Sequence, residues 1–258
     1  MFALHHLRAA GWPAWLWAAL LFVASQTPAL ALDAQQLFQQ SQNSVVVVLN
    51  YDSSGKAAKF GTGFFFKEGN LVATNYHVID KHVELRLKLG DGTLVKVESV
   101  ARYNKEQDLA ILRVAKPGKP LALAAGDPQI GEDVLAIGNP GGLERTISTG
   151  IVSGIRRRGK VKVYQITAPI SPGSSGGPIL NSQGSVLGLA TFYAQGGQNL
   201  NFAVPAGYLE DLLSGQSTMG SVDSAGSDIA PDETPAPAQK TKLEVYKEKD
   251  GSISIKKK

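Results

Sequence analysis

Short apolar stretches separated by turn residues follow one another from residue 45 to residue 204. The stretch 83–89 alternates strictly, with Val or Leu at its odd positions and a charged residue at each even position. This period of two predicts a half-buried β-strand. Further strands are predicted at 45–49, 64–66, 71–74, 93–100, 109–114, 134–137, 147–152, 161–166, 179–180, 186–191 and 202–204. So many short strands without helices between them indicate an antiparallel barrel or sandwich rather than βαβ units.

Two short helices are predicted at the borders of this strand-rich region. Residues 34–42 contain Leu37 and Phe38, which we expect to face inward. The second helix follows the last strand, with Pro205 in its first turn and Gly215 as its end. Its apolar face consists of Tyr208, Leu209, Leu212 and Leu213.

The regions outside residues 32–215 have different compositions. Residues 1–31 combine Arg8, an apolar run and a final Ala29-Leu30-Ala31, which predicts a signal peptide cleaved after Ala31. The alternative is an uncleaved anchor, because no charge interrupts residues 9–32. Residues 216–239 are rich in Ser, Gly, Pro and acids and predict a disordered linker. Residues 240–258 form a basic tail that could fold into a small hairpin.

Composition narrows the protein class. The 258 residues are 43% apolar and 19% charged, which supports a sizeable core in one or two domains and excludes disorder throughout. The chain has no cysteine, so it can hold neither a disulfide nor a Cys-ligated metal. The net charge of +4 is modest, and we expect no nucleic-acid partner. The basic tail indicates a solvated segment or, alternatively, a contact with an anionic polymer at the cell envelope.

One serine, one histidine and one aspartate are candidates for nucleophilic catalysis. Ser175 lies in a glycine-rich turn at 173–177, where backbone N–H groups can converge on an oxyanion. The turn also matches the G-x-S-x-G elbow of α/β hydrolases, but those enzymes need a histidine after the serine and none follows here. Outside residues 1–31 the only histidines are His77 and His82, and His82 fits a surface position. His77 is therefore the candidate base.

Asp108 is the candidate carboxylate that orients this base, because it directly precedes the apolar strand 109–114. A solvated aspartate at a strand entry is the alternative interpretation. The order His77, Asp108, Ser175 is the order of chymotrypsin-type double barrels and differs from that of subtilisin. Two histidines far apart in the chain make a poor zinc site, and we expect no metal and no other cofactor.

Seven ordered motifs resemble the protease domain of the HtrA/Deg family. They are Gly61-Thr62-Gly63-Phe64, Thr74-Asn75-Tyr76-His77-Val78, Asp108-Leu109-Ala110-Ile111-Leu112, Gly138-Asn139-Pro140, Gly150-Ile151-Val152-Ser153, Pro172-Gly173-Ser174-Ser175-Gly176-Gly177-Pro178 and Asn201-Phe202-Ala203-Val204-Pro205. The resemblance covers roughly residues 40–215. It implies an all-β, trypsin-like fold of two six-stranded antiparallel barrels with a C-terminal helix and an active site between the barrels.

The resemblance also implies roles for individual residues. His77 would be the general base, Asp108 its orienting partner and Ser175 the nucleophile, and the N–H groups of Gly173 and Ser175 would form the oxyanion hole. By the same comparison, the S1 pocket would consist of Pro169, Ile170, Thr191, Phe192 and Tyr193. Residues 166–173 contain no acid, so we expect preference for small aliphatic P1 residues and exclusion of Arg and Lys. The family usually has Asn before the nucleophile, where this chain has Ser174.

The function implied is an exported serine endopeptidase that acts on unfolded or damaged proteins of the bacterial periplasm or envelope. We expect residues 32–215 to form the protease domain and residues 216–258 to be too short for a PDZ module. Family members form trimers, so a homo-oligomer is an option, and membrane contact is expected only for an uncleaved N-terminal segment. The alternative function is a proteolytically silent fold that acts as a binding or chaperone module.

Overall fold

A computed structural model of the chain describes residues 33–139, 145–193 and 200–215, apart from the side chains of residues 192 and 193. It also describes the backbone of three short strands at 228–229, 243–247 and 253–257. The predicted signal segment 1–31 and most of the predicted linker 216–239 lie outside the described residues.

The first half of the chain forms one antiparallel sheet of seven strands in the order β5-β4-β1-β2-β3-β7-β6. The strands are β1 Val45–Tyr51, β2 Ala57–Phe66, β3 Leu71–Thr74, β4 Glu84–Lys88, β5 Leu94–Lys96, β6 Ser99–Asn104 and β7 Leu109–Arg113. The edge strands β5 and β6 are joined through Val97 and Glu98, whose N–H groups bond to Leu85 in β4 and to Arg113 in β7. The sheet therefore curves into a half-barrel. Its two edge strands approach each other at this two-residue link.

The second half of the chain closes into a six-stranded antiparallel barrel. Its strands are β8 Asp133–Gly138, β9 Thr146–Arg158, β10 Val161–Ile166, β11 Pro178–Leu180, β12 Val186–Tyr193 and β13 Asn201–Pro205. They follow the order β10-β13-β12-β11-β8-β9, and the pairing of β10 with β9 closes the ring. Together with the half-barrel, this confirms the expected trypsin-like double-barrel class.

The hydrophobic core joins the two barrels. One cluster includes Phe64 and Leu109 from the half-barrel and Leu135 and Leu189 from the closed barrel, all at most 2% exposed. Two smaller clusters fill the separate interiors. Burial of large apolar side chains stabilises the fold by about 1.5–3 kcal/mol for each residue. The largest cluster therefore packs residues of both barrels together.

In the described part of the chain, three helices accompany the barrels. The first, α1 at Ala34–Ser41, begins with a capping box between Asp33 and Gln36 and buries Leu37, and a short 3-10 turn at Gln42–Ser44 follows. The second, α2 at Tyr76–Ile79, is a single turn after β3 that the apolar pattern did not predict. The third, α3 at Gly207–Ser214, ends as expected at Gly215, which adopts φ +75°.

The single strand predicted at 93–100 is interrupted, since these residues contain β5 and the start of β6. Two further details of the sequence prediction were wrong. Pro205 is the last residue of β13 rather than part of the first turn of the closing helix. Val83 is 66% exposed because it precedes β4, whereas Leu85 and Leu87 are buried as expected. In both cases the observed boundary of the helix or strand lies one or two residues from the predicted boundary, which is a common difference at the ends of such elements.

Short strands are also present in the C-terminal region. Strand β14 at Asp228–Ile229, within the predicted linker, pairs with β9 in parallel. Strands β15 at Leu243–Lys247 and β16 at Ile253–Lys257 pair with each other as an antiparallel hairpin. Among the described residues, no helix is long and apolar enough to cross a membrane.

Candidate active site

His77 and Asp108 form a doubly hydrogen-bonded pair at the edge of the half-barrel. The backbone N–H of His77 donates to Asp108 Oδ1 at 2.9 Å, and His77 Nδ1 lies 2.8 Å from Asp108 Oδ2. The histidine side chain is 49% exposed, whereas that of the aspartate is 12% exposed. The buried carboxylate therefore holds the imidazole by one edge and leaves its other nitrogen accessible. This arrangement suits a general base.

Asp108 is itself held from three sides. Its carbonyl oxygen accepts hydrogen bonds from the Tyr76 N–H at 3.1 Å and from Asn75 Nδ2 at 2.9 Å. Its Oδ2 atom also accepts the hydroxyl of Thr191, which comes from the closed barrel, at 2.8 Å. The residue adopts φ +54°, a strained value that persists only where the surroundings enforce it. The orientation of the carboxylate is thus determined by both barrels.

Ser175 lies at the tip of a tight turn before β11. Gly176 adopts φ +83°, and a Cβ atom there would lie 2.2 Å from the Thr62 carbonyl oxygen, so the turn requires glycine. The Ser175 carbonyl accepts the Thr62 N–H at 2.8 Å, and the Gly176 N–H donates to the Ala190 carbonyl at 2.8 Å. The sequence forms this turn because glycine removes every side chain that would collide with β2.

The Ser175 hydroxyl is connected to the His77–Asp108 pair through Thr191. It donates to the Thr191 carbonyl at 3.3 Å, while the Thr191 hydroxyl donates to Asp108. The hydrogen bonds of the described residues do not include one between Ser175 and His77. A hydroxyl has a single proton, so the Ser175 side chain must rotate away from Thr191 before it can donate to the imidazole. Such loose geometry is common in ligand-free active sites.

The backbone N–H groups of Gly173 and Ser175 are the candidate oxyanion donors. Gly173 is buried and adopts φ +101°. Neither N–H group donates to another atom among the described residues, whereas the neighbouring Ser174 N–H bonds to the Ser171 carbonyl at 2.8 Å. Two unpaired N–H groups on either side of Ser174 are the kind of donor pair that stabilises a tetrahedral oxyanion.

Thr62, in β2, connects the nucleophile turn to both barrels, and the sequence analysis did not assign it a role. Its buried hydroxyl donates to the Gly173 carbonyl at 2.7 Å. The same oxygen accepts the N–H and the Nδ2 of Asn139, each at 3.1 Å. Together with the Thr62 N–H bond to Ser175, these contacts hold both ends of the Gly173–Ser175 segment.

Replacing Thr62 with valine should therefore lower kcat for peptide hydrolysis by about 10- to 100-fold and destabilise the fold by about 3 kcal/mol. Valine has nearly the same shape, but it removes the partner of the buried Gly173 carbonyl and of the Asn139 backbone N–H, and it leaves Asn139 Nδ2 only its 3.4 Å bond to the Val46 carbonyl. Urea denaturation and steady-state kinetics measure the two effects. Serine at this position keeps the hydroxyl and should restore kcat; equal losses in both variants would contradict this role for Thr62.

The residues expected to form the S1 pocket have different surroundings. Pro169 lines a cavity of about 250 Å³ beside the nucleophile turn. Ile170 packs against the core cluster of the closed barrel. The hydroxyl of Thr191 bonds to Asp108, a contact that the sequence comparison did not anticipate. The side chains of Phe192 and Tyr193 lie outside the described part of the chain.

The cavity is uncharged. Its lining consists of Ala136, Ile137, Gly138, Thr146, Ile147, Ser148, Pro169, Ser171, Ser174 and Ala190. Ser174 stands where the family usually has Asn, and its backbone packs closely against Gly138, where an added Cβ would lie 3.0 Å from Ser174 Cα. Across the described residues, no group of three or more His, Asp or Glu is arranged to hold a metal ion.

Comparison with known families agrees with this geometry. The profile of the trypsin-like peptidase domain matches residues 61–189, which include all three triad candidates. The chain belongs to the trypsin-like peptidase family. The expected enzyme class, serine endopeptidase, is thereby confirmed for the domain.

The chain is similar in sequence or structure to several individual proteases. Protease Do-like 1 from the chloroplast of Arabidopsis thaliana is 32% identical over 243 residues, covering 83% of this chain and 55% of that protein. A probable periplasmic DegP-like serine endoprotease of Halomonas elongata is 35% identical over 179 residues, covering 66% and 37%. The serine endoprotease of Yersinia pestis superposes with a TM-score of 0.63 and 26% identity, covering 73% of this chain and 68% of that one.

The chain thus spans about half or less of the length of these two curated relatives. The expected resemblance to HtrA/Deg proteases is confirmed for the protease domain. Thr62 could have been noticed in its Gly-Thr-Gly motif, but no sequence signal indicates which polar atoms its hydroxyl meets 77 and 111 positions further along.

Proposed function

We propose that this chain is an exported serine endopeptidase that uses Ser175 as nucleophile, His77 as general base and Asp108 as the group that orients the base. The observation that carries the proposal is the contact of Asp108 with both His77 and Thr191, directly beside the Ser175 hydroxyl. A buried carboxylate, an exposed imidazole and a serine in a strained glycine turn meet the requirements of acyl transfer.

In the acylation step, His77 accepts the Ser175 proton while Ser175 Oγ attacks the scissile carbonyl carbon. The carbonyl oxygen gains the negative charge and is stabilised by the N–H groups of Gly173 and Ser175. Asp108 stabilises the positive charge on the imidazolium. The imidazolium then gives its proton to the leaving amine, the C–N bond breaks, and an acyl-Ser175 ester remains.

In the deacylation step, water hydrolyses the acyl-Ser175 ester with the help of the same groups. His77 removes a proton from water as the water oxygen attacks the ester carbon. The tetrahedral intermediate collapses when Ser175 Oγ recovers a proton from His77, and the new carboxylic acid leaves. The half-exposed imidazole supports this step, because water can reach its free nitrogen.

The substrate side chain at P1 should be small and aliphatic, chiefly Val, Ala, Ile or Leu. Residues 166–173 and the cavity beside the nucleophile turn contain no carboxylate that could pair with a basic side chain. A peptide library cleaved by the protein should show cuts after Val at least about 100-fold faster than cuts after Arg or Lys, whereas the aliphatic residues should differ by about 10-fold. Cleavage mainly after basic residues would contradict the pocket assignment.

Labelling with a fluorophosphonate probe tests the central claim, since only an activated serine reacts with it. The wild-type protein should be labelled, and Ser175→Ala should abolish the labelling. Ser182→Ala, which changes a serine in the distant β11–β12 turn, is the matched control and should be labelled like the wild type. Failure of the folded wild-type protein to react would contradict the peptidase proposal.

A proteolytically silent module is the second candidate, favoured by the contact of the Ser175 hydroxyl with Thr191 rather than with His77. In that case the hydroxyl would stay bonded to the Thr191 carbonyl, and the protein would bind unfolded chains without cleaving them. The labelling experiment separates the two candidates directly.

Export to the bacterial periplasm or envelope, and action on unfolded or damaged proteins there, complete the proposal. The apolar segment with Ala29-Leu30-Ala31 at its end and the similarity to a periplasmic DegP-like endoprotease support it. A fusion of residues 1–40 to a reporter that is active only after export should be active, and N-terminal sequencing of the exported protein should begin at Leu32 if Ala31 is the cleavage site.

A further inference from the structure

A partly exposed aromatic pair includes the residue that directly precedes the candidate base. Tyr76 precedes His77 in α2, and its ring packs against Tyr103 of β6 with centroids 5.2 Å apart and an interplanar angle of 30°. Tyr103 is nevertheless 54% exposed. The Tyr76 hydroxyl donates to Asp80 Oδ1 at 2.9 Å, which ties the pair to the residue that follows α2. The pair is therefore fixed on the helical turn that carries His77.

Three lysines surround the same carboxylate. The Lys105 ammonium lies 5.4 Å from the centroid of the Tyr76 ring. Lys81 follows Asp80 and adopts φ +58°. Lys59 lies opposite Asn50 in the β1–β2 register, and Asn50 Nδ2 donates to the Asp80 carbonyl at 3.2 Å. The strand that carries Lys59 continues to Gly61, where an added Cβ would lie 2.6 Å from Val78 of α2.

The charges on this surface do not balance. The hydrogen bond from Tyr76 lowers the pKa of Asp80, and the positive charges of Lys59, Lys81 and Lys105 lower it further. Asp80 is thus ionised, and its single charge lies within the field of three ammonium groups. Two other acids lie nearby. Glu106 is exposed, and the ion pairs of the described residues do not include it, whereas Asp108 is 12% exposed and bonded to His77 and Thr191. On the exposed surface, three ammonium groups thus face the two carboxylates of Asp80 and Glu106.

We propose that this rim, formed by Tyr76, Tyr103, Lys59, Lys81 and Lys105, binds acidic side chains of the substrate. The inference rests on the proposed peptidase function and specifies its substrate class: peptides that carry Asp or Glu at positions flanking a small aliphatic P1 residue. An added carboxylate supplies the missing counter-charge, and the exposed Tyr103 ring gives its methylene groups an apolar surface to lie against. The same field attracts acidic segments to the cleft before they bind.

The experiment uses peptides that keep Val at P1 and carry Asp, Asn or Lys at each of the neighbouring positions in turn. We expect kcat/KM to fall in the order Asp, Asn, Lys at one or more positions, by up to about fivefold for each exposed charge pair. Raising the NaCl concentration from about 0.05 M to about 0.5 M should shrink this preference, since it shortens the screening length.

Charge-reversal variants identify the residues responsible. Lys105→Glu should remove the preference for Asp, and the double change Lys81→Glu with Lys105→Glu should invert it towards Lys. Glu106→Gln should strengthen the preference for Asp. The matched control is Lys116→Glu, an exposed lysine beyond the far end of β7 that lies near Asp91, and it should keep the wild-type preference.

The outcomes separate this inference from the proposed function. If the wild-type protein reacts with the fluorophosphonate probe and cleaves the Asn peptides but treats Asp and Lys peptides equally, the rim inference is wrong and the peptidase stands. If the wild-type protein neither reacts nor cleaves any peptide, the peptidase proposal fails, and the rim inference fails with it. A preference for Asp that survives in both lysine variants would assign it to other residues and overturn the inference.

Discussion

Replacing Ser175 with alanine should lower kcat/KM for peptide hydrolysis by about 10⁴-fold or more, the loss typical of a triad without its nucleophile. The hydroxyl is the atom that attacks the carbonyl, and the described residues offer no second serine that contacts both the Asp108–Thr191 pair and the nucleophile turn. Alanine fits the turn, because the contacts that hold it come from the backbone of Ser175 and Gly176. The loss should therefore appear without a change in stability.

Thermal unfolding of the Ser175→Ala variant is the necessary companion measurement, and its midpoint should match that of the wild type within a few degrees. His77→Ala should cause a comparable loss of activity, whereas His82→Ala should be nearly silent, since the His82 ring bonds only to the Ile79 carbonyl among the described contacts. An active Ser175→Ala protein, or inactivation by His82→Ala with His77→Ala tolerated, would contradict the assignment.

The all-β class could be predicted from local sequence patterns, which left a barrel or a sandwich open, and the double barrel was implied by the resemblance to HtrA/Deg proteases. Alternating and continuous apolar runs mark most strands within one or two residues, and the strand 161–166 was predicted with the observed bounds. The single turn α2 escaped prediction for a physical reason. A helix of four residues is too short for an apolar stripe, and tertiary contacts such as the Tyr76 N–H bond to Asp108 determine it.

The sequence indicated candidates for the base, the carboxylate and the nucleophile, but it did not indicate the residues that hold them in place. Histidine is rare in this chain, so elimination selected His77, while the motifs and their order selected Asp108 and Ser175 as candidates. Thr62 and Thr191 were not recognised as supporting residues, because threonine is common in strands and its partners are set by three-dimensional packing. Thr191 was assigned to the S1 pocket from its position in the sequence, and the bond of its hydroxyl to Asp108 is an additional contact that the sequence did not indicate.

The Asp108→Asn variant tests how the contacts of the carboxylate orient His77, and this change should lower kcat/KM by about 10⁴-fold. In the wild type, Oδ1 accepts the His77 backbone N–H, while Oδ2 accepts both His77 Nδ1–H and the Thr191 hydroxyl. An amide has one oxygen. If that oxygen keeps the Oδ1 position, the NH₂ group faces His77 Nδ1, which must then be an acceptor. The imidazole proton moves to Nε2, and the base can no longer take the Ser175 proton.

The opposite amide orientation is also unfavourable, because it would place the NH₂ group against the backbone N–H of His77, so that two donors would face each other. Nitrogen NMR of His77 should therefore report a proton on Nε2 in Asp108→Asn, where the wild type carries it on Nδ1. Thr191→Val, which removes one donor to the carboxylate and leaves the carboxylate itself, should lose much less activity than Asp108→Asn and keep the wild-type tautomer. Asp127→Asn is the control for replacing a carboxylate elsewhere: its partners are Lys162 and Tyr164, and its activity should match that of the wild type. An Asp108→Asn protein with full activity would mean that Asp108 only supports the fold and that His77 is oriented by its backbone alone.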